Sequence, residues 1–279
     1  MDFRFFVFTN DPSMARRAVA AGSTRIVVDL EIMGKAERQV GRDTVISRHT
    51  PKDVSRLREI VPTGSLVARV NPLWDGSAAE IEDVVARGAD HVMLPMWRTT
   101  DELSRFSDLL RGRAHAIPLL ETRAAGEAAA KALSTGVADE VHIGLTDLHL
   151  EYRMRFLFEV LADGILDDIC SACRTAGVTY GFGGVGRVGR PGNDMLPPEW
   201  VLLEHERLGS TGVILSRSFL TDVSMDMSTE VSCIRGVLAA ARERTFPERV
   251  ADRARASQRI REVANMLATG MSQPSTTKA

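Results

Sequence analysis

Ile117-Pro118-Leu119-Leu120-Glu121-Thr122, read with Val141-His142-Ile143-Gly144-Leu145-Thr146-Asp147-Leu148, decides the fold of this chain. Each is a short apolar run ending in one carboxylate, the pattern of a buried strand whose last residue leaves the core. Parallel neighbours of this kind in one barrel would bring Glu121 and Asp147 out at the same rim. Two hard oxygen donors there suit a divalent cation, Mg²⁺ or Mn²⁺, with positions left open for a substrate. The same acids also suit the first turns of the following helices, where negative charge is favoured. Spacing alone does not choose between the two.

The pattern repeats on both sides of this stretch. Strand-like runs lie at Phe3 to Phe8, Arg25 to Glu31, Leu66 to Asn71, His91 to Met96, Ile117 to Thr122, Glu140 to Leu145, Thr179 to Gly184 and Gly212 to Arg217. Helical segments separate them: Asn10-Asp11-Pro12-Ser13 opens the first, Pro51 the next, and Thr100-Asp101-Glu102 caps a later one. The helix after the sixth strand spans about Phe156 to Ala176. Eight strand–helix pairs at this pace describe an α/β fold, a closed (β/α)₈ TIM barrel, better than an open doubly wound sheet. Met33 to Thr50 is charged and aperiodic, a long functional loop after strand two.

Two further helices, Ser228 to Arg244 and Pro247 to Leu267, extend the barrel. The second has a narrow stripe of Val250, Ile260, Val263 and Leu267 among many arginines, the kind of helix that packs on a neighbouring subunit. The expected organisation is a barrel over 1–222, a helical and oligomerising extension over 223–271, and a disordered tail over 272–279.

The chain has 35 Lys+Arg against 37 Asp+Glu, so no strong field favours nucleic acid or an anionic membrane. No apolar run approaches the ~20 residues that span a bilayer. The N-terminus lacks a basic segment and a small-residue cleavage site and reads as a strand. Cys170 and Cys173 fall in a helical pattern without the further soft ligands a zinc site needs, and with Cys233 they read as reduced core thiols of a cytoplasmic protein.

Chemistry in such a barrel belongs to the strand C-termini and the loops after them. That filter selects Asp29 and Glu31, Arg69 and Asn71, Glu121, Asp147 with His149, and Arg217. Acids on strands two, five and six facing an Arg on strand three would make a metal-and-anion pocket.

Val28-Asp29-Leu30-Glu31, Ala68-Arg69-Val70-Asn71, Met93-Leu94-Pro95-Met96, Leu120-Glu121-Thr122 and Gly144-Leu145-Thr146-Asp147-Leu148 stand in the order seen in the HpcH/HpaI aldolase and citrate lyase β-subunit family. The chain resembles that family from about Phe6 to about Phe219, as an atypical member. The resemblance implies a metal-dependent carbon–carbon lyase or aldolase working through the enolate of a pyruvate- or acetyl-like unit. It makes Glu121 and Asp147 the metal ligands and sets Arg69 at the substrate carbonyl and carboxylate, with a trimer or hexamer as the assembly. A Lewis acid and a guanidinium would stabilise enolate charge where it develops. Asn71 and the backbone of Gly144, Leu145 and Thr146 would help bind the carboxylate. The other reading of Arg69 is a structural pair with Glu31 or Asp29.

The chain departs from the family after strand two. The aldolase branch has a His after the acid and the lyase branch a second acid, whereas this chain has Ile32. Candidates for the proton-transfer step are His49, His149 and Glu31 itself. His91, His115, His142 and His205 read as structural. Arg187 and Arg190, in a glycine-rich segment after strand seven, are candidates to bind an anionic group on the partner substrate. Two other functions fit less of the pattern: a catalytically impaired barrel that binds an acidic metabolite, and a phosphosugar-handling barrel enzyme using the arginine loop.

Overall fold

The computed structural model describes residues 3–35, 48–189, 196–217, 219 and 225–269. Most of the loop after strand two, Arg190 and the tail over 272–279 lie outside them.

The chain is a barrel of parallel strands wrapped in helices. In order it forms β1 (Arg4–Phe8), α1 (Pro12–Ala20), β2 (Arg25–Asp29), α2 (Pro51–Arg58), β3 (Leu66–Arg69), α3 (Ser77–Ala86), β4 (His91–Leu94), α4 (Thr100–Leu110), β5 (His115–Leu120), α5 (Arg123–Leu133) and β6 (Glu140–Ile143). Then come α6 (Leu145–Glu151), α7 (Glu159–Ala162), α8 (Ile165–Thr175), β7 (Thr179–Phe182), β8 (Gly184–Val185), α9 (Pro198–Leu208), β9 (Gly212–Leu215), α10 (Met227–Arg242) and α11 (Phe246–Ala268). The strands run in the order β7-β6-β5-β4-β3-β2-β1-β9-β8.

Nine strands make an eight-staved ring because the seventh stave is split. Gly183 adopts a left-handed φ of 54° between β7, which pairs with β6, and β8, which pairs with β9. A residue with a Cβ is disfavoured in that conformation. The Thr211 N–H donating to the Tyr180 carbonyl at 2.8 Å closes the seam.

Local chemistry sets the helix starts. Asp11 caps the Ser13 and Met14 N–H groups, with Pro12 in the first turn. Thr99, and not Thr100, caps α4 in a reciprocal box with Glu102. The segment after strand six differs from expectation: α6 and α7 precede the long helix, so Asp147 sits in the first turn of a helix instead of at a strand end. Gly144 ends the strand early and starts that helix.

Period-two alternation sorts the barrel into two cores. Phe6, Val27, Val67, Met93, Ile117 and Leu119 fill the lumen, while the intervening residues pack outward against the helices. His142 lies in the lumen against Phe6, with Nε2 on the Gly183 carbonyl, and burial lowers its pKa to about 4. It is a neutral structural histidine. The end where the strands begin is plugged by charge. Glu140 binds Arg4 at 2.6 Å and Arg25 at 2.9 Å, with its side chain 4% exposed. Glu140→Gln would leave two half-buried guanidinium groups facing each other and is expected to cost about 2–3 kcal/mol by urea unfolding. Glu82→Gln, in the exposed pair with Arg113, is expected to cost under about 0.5 kcal/mol.

The C-terminal helices pack on the barrel's own helices, α10 on α1 and α9, and α11 on α7 and α9. The buried stripe of α11 is Ala256, Ile260, Val263 and Ala264; Val250 and Leu267, expected in it, are 53% and 44% exposed. Cys170 and Cys173 are buried in α8, and burial pushes the Cys173 thiol up to about 12. Cys233 is exposed, against expectation, because it falls off the Val231, Ile234 and Leu238 stripe of α10. Among the described residues no helix is long and apolar enough to cross a membrane.

Candidate functional site

The rim where the strands end carries a buried charge cluster. Asp29 and Arg69 are register partners on β2 and β3, and alternation turns both inward. Arg69 presents Nε and Nη2 to the two Asp29 oxygens at 2.8 Å each, a fork-to-fork pair. Lys35, itself 5% exposed, reaches back to Asp29 at 2.8 Å. Glu31 lies farther out, 3.4 Å from Arg69 and 3.7 Å from Lys35. The Arg69 guanidinium stacks over the Phe8 ring at 4.9 Å. Burial alone would raise the Asp29 pKa, but Arg69 and then Lys35 outweigh it and hold the carboxyl well below its usual range. Burial works against the Arg69 charge, yet Asp29, Glu31 and Glu121 together raise its pKa. The pair with Asp29, weighed above as the alternative for Arg69, is therefore present, and Arg69 also lies within the field of Glu121.

Asn71 is part of the frame. Its Oδ1 accepts from the Ile32 and Met33 N–H groups at 2.9 and 3.0 Å, and its Nδ2 donates to Glu80 at 2.8 Å. It therefore ties the loop after β2 to that after β3. His49 accepts the Asp29 N–H on Nδ1 at 2.9 Å, which leaves the ring proton on Nε2. Burial lowers its pKa, against the opposing pull of Asp29, so it favours the neutral form.

Glu121, 3% exposed, follows β5. Its Oε1 accepts the Met96 N–H at 3.1 Å. Met96 holds a left-handed φ of 57°, a conformation costly for a Met, directly after Pro95. Met96 also lines, with Asp147, Leu150 and Glu151, a pocket of about 190 Å³. Met96 thus joins the two acids: its backbone holds Glu121 and it shares a pocket with Asp147. Gly144 makes room for this. A Cβ there would lie 2.7 Å from the Glu121 Oε2.

Other expected residues take different places. The Gly144 N–H donates to the Leu120 carbonyl at 2.9 Å and so belongs to the β-ladder. Leu145 is buried in the core, while Thr146 is exposed in the first turn of α6. His149 is buried with Nδ1 on the Leu145 carbonyl at 3.1 Å. Arg187 binds Glu230 of α10 at 2.5 Å, tying the loop after β8 to the C-terminal helices. Its partner in the anion-binding expectation, Arg190, lies outside the described residues.

Glu80 was not singled out by its sequence context, because an acid in a helical segment reads as solvated; the left-handed turn at Met96 has no sequence mark except the preceding proline. Among the described residues no group of three or more His, Cys, Asp or Glu could hold a metal ion. Two carboxylate ligands suit a site in which substrate and water complete an oxygen shell. Carboxylate oxygens are the donor type a hard divalent cation takes.

No family model matches the sequence, and no curated protein matches it. Solved structures do match in fold. The CitE protein of Mycobacterium tuberculosis in complex with magnesium and pyruvate aligns with a TM-score of 0.62 and 15% identity over 92% of this chain and 98% of that one. The citrate lyase β subunit from the same organism, complexed with oxaloacetate and magnesium, gives 0.60 and 15% over 85% and 97%. An HpcH/HpaI aldolase from Desulfitobacterium hafniense DCB-2 gives 0.56 and 14% over 88% and 95%. The chain has the fold of these lyase and aldolase proteins.

Proposed function

We propose that the chain is an atypical member of the HpcH/HpaI aldolase and citrate lyase β-subunit family, a metal-dependent carbon–carbon lyase acting on a small 2-oxo or 3-hydroxy acid. The observation that carries this reading is the convergence through Met96 of Glu121 and Asp147, with Arg69 in the field of Glu121. Structures of the same fold hold magnesium with pyruvate or oxaloacetate, which supports the choice of ligand class.

Glu121 and Asp147 would hold Mg²⁺ or Mn²⁺. The bound cation would supply Lewis-acid stabilisation of negative charge on the substrate oxygen. Arg69 provides a second positive charge for that oxygen, and Asp29 fixes its orientation while Phe8 supports its face. The first-turn N–H groups at Leu145 and Thr146 have no acceptor inside α6 and would donate to a substrate carboxylate. His49, with its proton on Nε2, is a hydrogen-bond donor and not a base in this state. Glu31, with its carboxylate 3.4 Å from Arg69 and 3.7 Å from Lys35, is the residue that takes the substrate proton in this reading. A homo-oligomer is part of the same proposal.

The test is exchange of the methyl protons of pyruvate in D₂O with Mg²⁺ present, followed by NMR. Exchange that stops on chelation and returns with metal is the expected result. Metal-dependent binding of pyruvate without exchange would favour the second reading, an acidic-metabolite binder; exposed Ile32, where the branches of the resembled family have a His or an acid, is the feature behind it.

A further inference from the structure

One carboxylate of the Met96–Asp147 pocket wall, Glu151, is ion-paired. Asp147 and Glu151 lie four residues apart on α6, and both line the pocket with Leu150 and Met96. The Glu151 carboxylate is held from outside by Arg98, Nη2 to Oε1 at 2.9 Å and Nη1 to Oε2 at 3.4 Å. The Arg123 N–H, in the first turn of α5, also lies 3.4 Å from Oε2. Arg98 comes from the loop that contains Met96, two residues further on, and its side chain is 47% exposed against 26% for Glu151. Arg98, beside the pocket, is therefore already bound to a carboxylate of the protein.

We propose that Glu151 and Arg98 determine substrate specificity. Glu151 presents a second negative charge to whatever group extends away from Asp147, and by occupying Arg98 it removes the cation that would otherwise receive an anionic group. The pocket therefore selects 2-oxo acids whose far end is uncharged and rejects those ending in a second carboxylate, since like charges brought together are strongly disfavoured. Arg98 is a latent dicarboxylate receptor that Glu151 keeps filled. This rests on the pocket being the oxo-acid site.

The experiment uses full-length protein with Mg²⁺ and two five-carbon acids that differ only at the far end, 2-oxopentanoate and 2-oxoglutarate, titrated by calorimetry. Wild type is expected to bind 2-oxopentanoate at least about tenfold more tightly. In Glu151→Gln, which is isosteric and keeps hydrogen-bonding capacity, 2-oxoglutarate binding should improve about tenfold or more with 2-oxopentanoate little changed. Arg98→Ala combined with Glu151→Gln should lose that gain, because the freed guanidinium is what receives the second carboxylate. An unchanged preference in Glu151→Gln, or a gain that survives loss of Arg98, overturns the inference while leaving the function reading intact. If neither acid binds any variant that retains wild-type circular dichroism, the function reading fails and this inference falls with it.

Discussion

Glu121→Gln and Asp147→Asn are each expected to lower metal-dependent turnover by at least about 10³-fold, close to 4 kcal/mol of transition-state stabilisation, without unfolding the barrel. Both substitutions keep the size of the side chain and remove one anionic oxygen donor. In Glu121→Gln an amide oxygen can still accept the Met96 N–H, so the left-handed turn after Pro95 keeps its partner. Glu121→Ala would be a poorer test, because it would leave a backbone N–H without that acceptor, at about 1–3 kcal/mol. Asp147 is half-buried in the first turn of α6, where the loss of its charge at the helix end is expected to cost about 0.3–1 kcal/mol. The measurements are pyruvate proton exchange, Mn²⁺ binding by electron paramagnetic resonance, and a thermal melt. Wild-type exchange in either variant, after metal is stripped and restored, would mean that these carboxylates are not the ligands.

The fold was legible because two signals agreed along the chain, apolar runs of strand length and helix-opening residues between them. Where those signals were overridden, a glycine or a local pairing did it. Gly183 divides one stave into two short strands, and Gly144 ends a strand early enough to put Asp147 on a helix. Neither event changes hydrophobic periodicity, so neither is visible in it. At the site, the residue types were readable and their partners were not. Strand-end acids and an arginine could be selected from topology alone, whereas the Arg69–Asp29 fork depends on the register of β2 against β3, and the Asn71 bridge depends on where the loop after β2 turns back. Arg187 shows the same limit from the other side: a glycine-rich arginine loop reads as an anion site, and its contact with Glu230, distant in sequence, is not visible in that pattern.

The second large effect concerns Asp29, which holds Arg69 and Lys35 together. Asp29→Asn is expected to destabilise the protein by about 3 kcal/mol at pH 7, because it removes the carboxylate closest to both Arg69 and Lys35 and leaves the more distant Glu31 beside them. The pH dependence has a definite sign. The folded-state pKa of Asp29 is depressed by Arg69 and Lys35, so its contribution is complete above the unfolded value near ~3.9 and is lost as pH falls towards the folded value. Wild type and Asp29→Asn should therefore differ by a constant amount from pH 7 to about pH 5, then converge below about pH 4, as read by urea midpoints. Other acids titrate in the same range, but they do so in both proteins and cancel in the difference as long as they do not couple to Asp29. A gap that stayed constant down to pH 3 would mean that the ionised carboxylate is not what holds the cluster. Turnover supplies an independent reading: with Arg69 released from its fork, kcat should fall more than the affinity for Mn²⁺, since Glu121 and Asp147 remain while the guanidinium that meets the substrate oxygen loses its orientation.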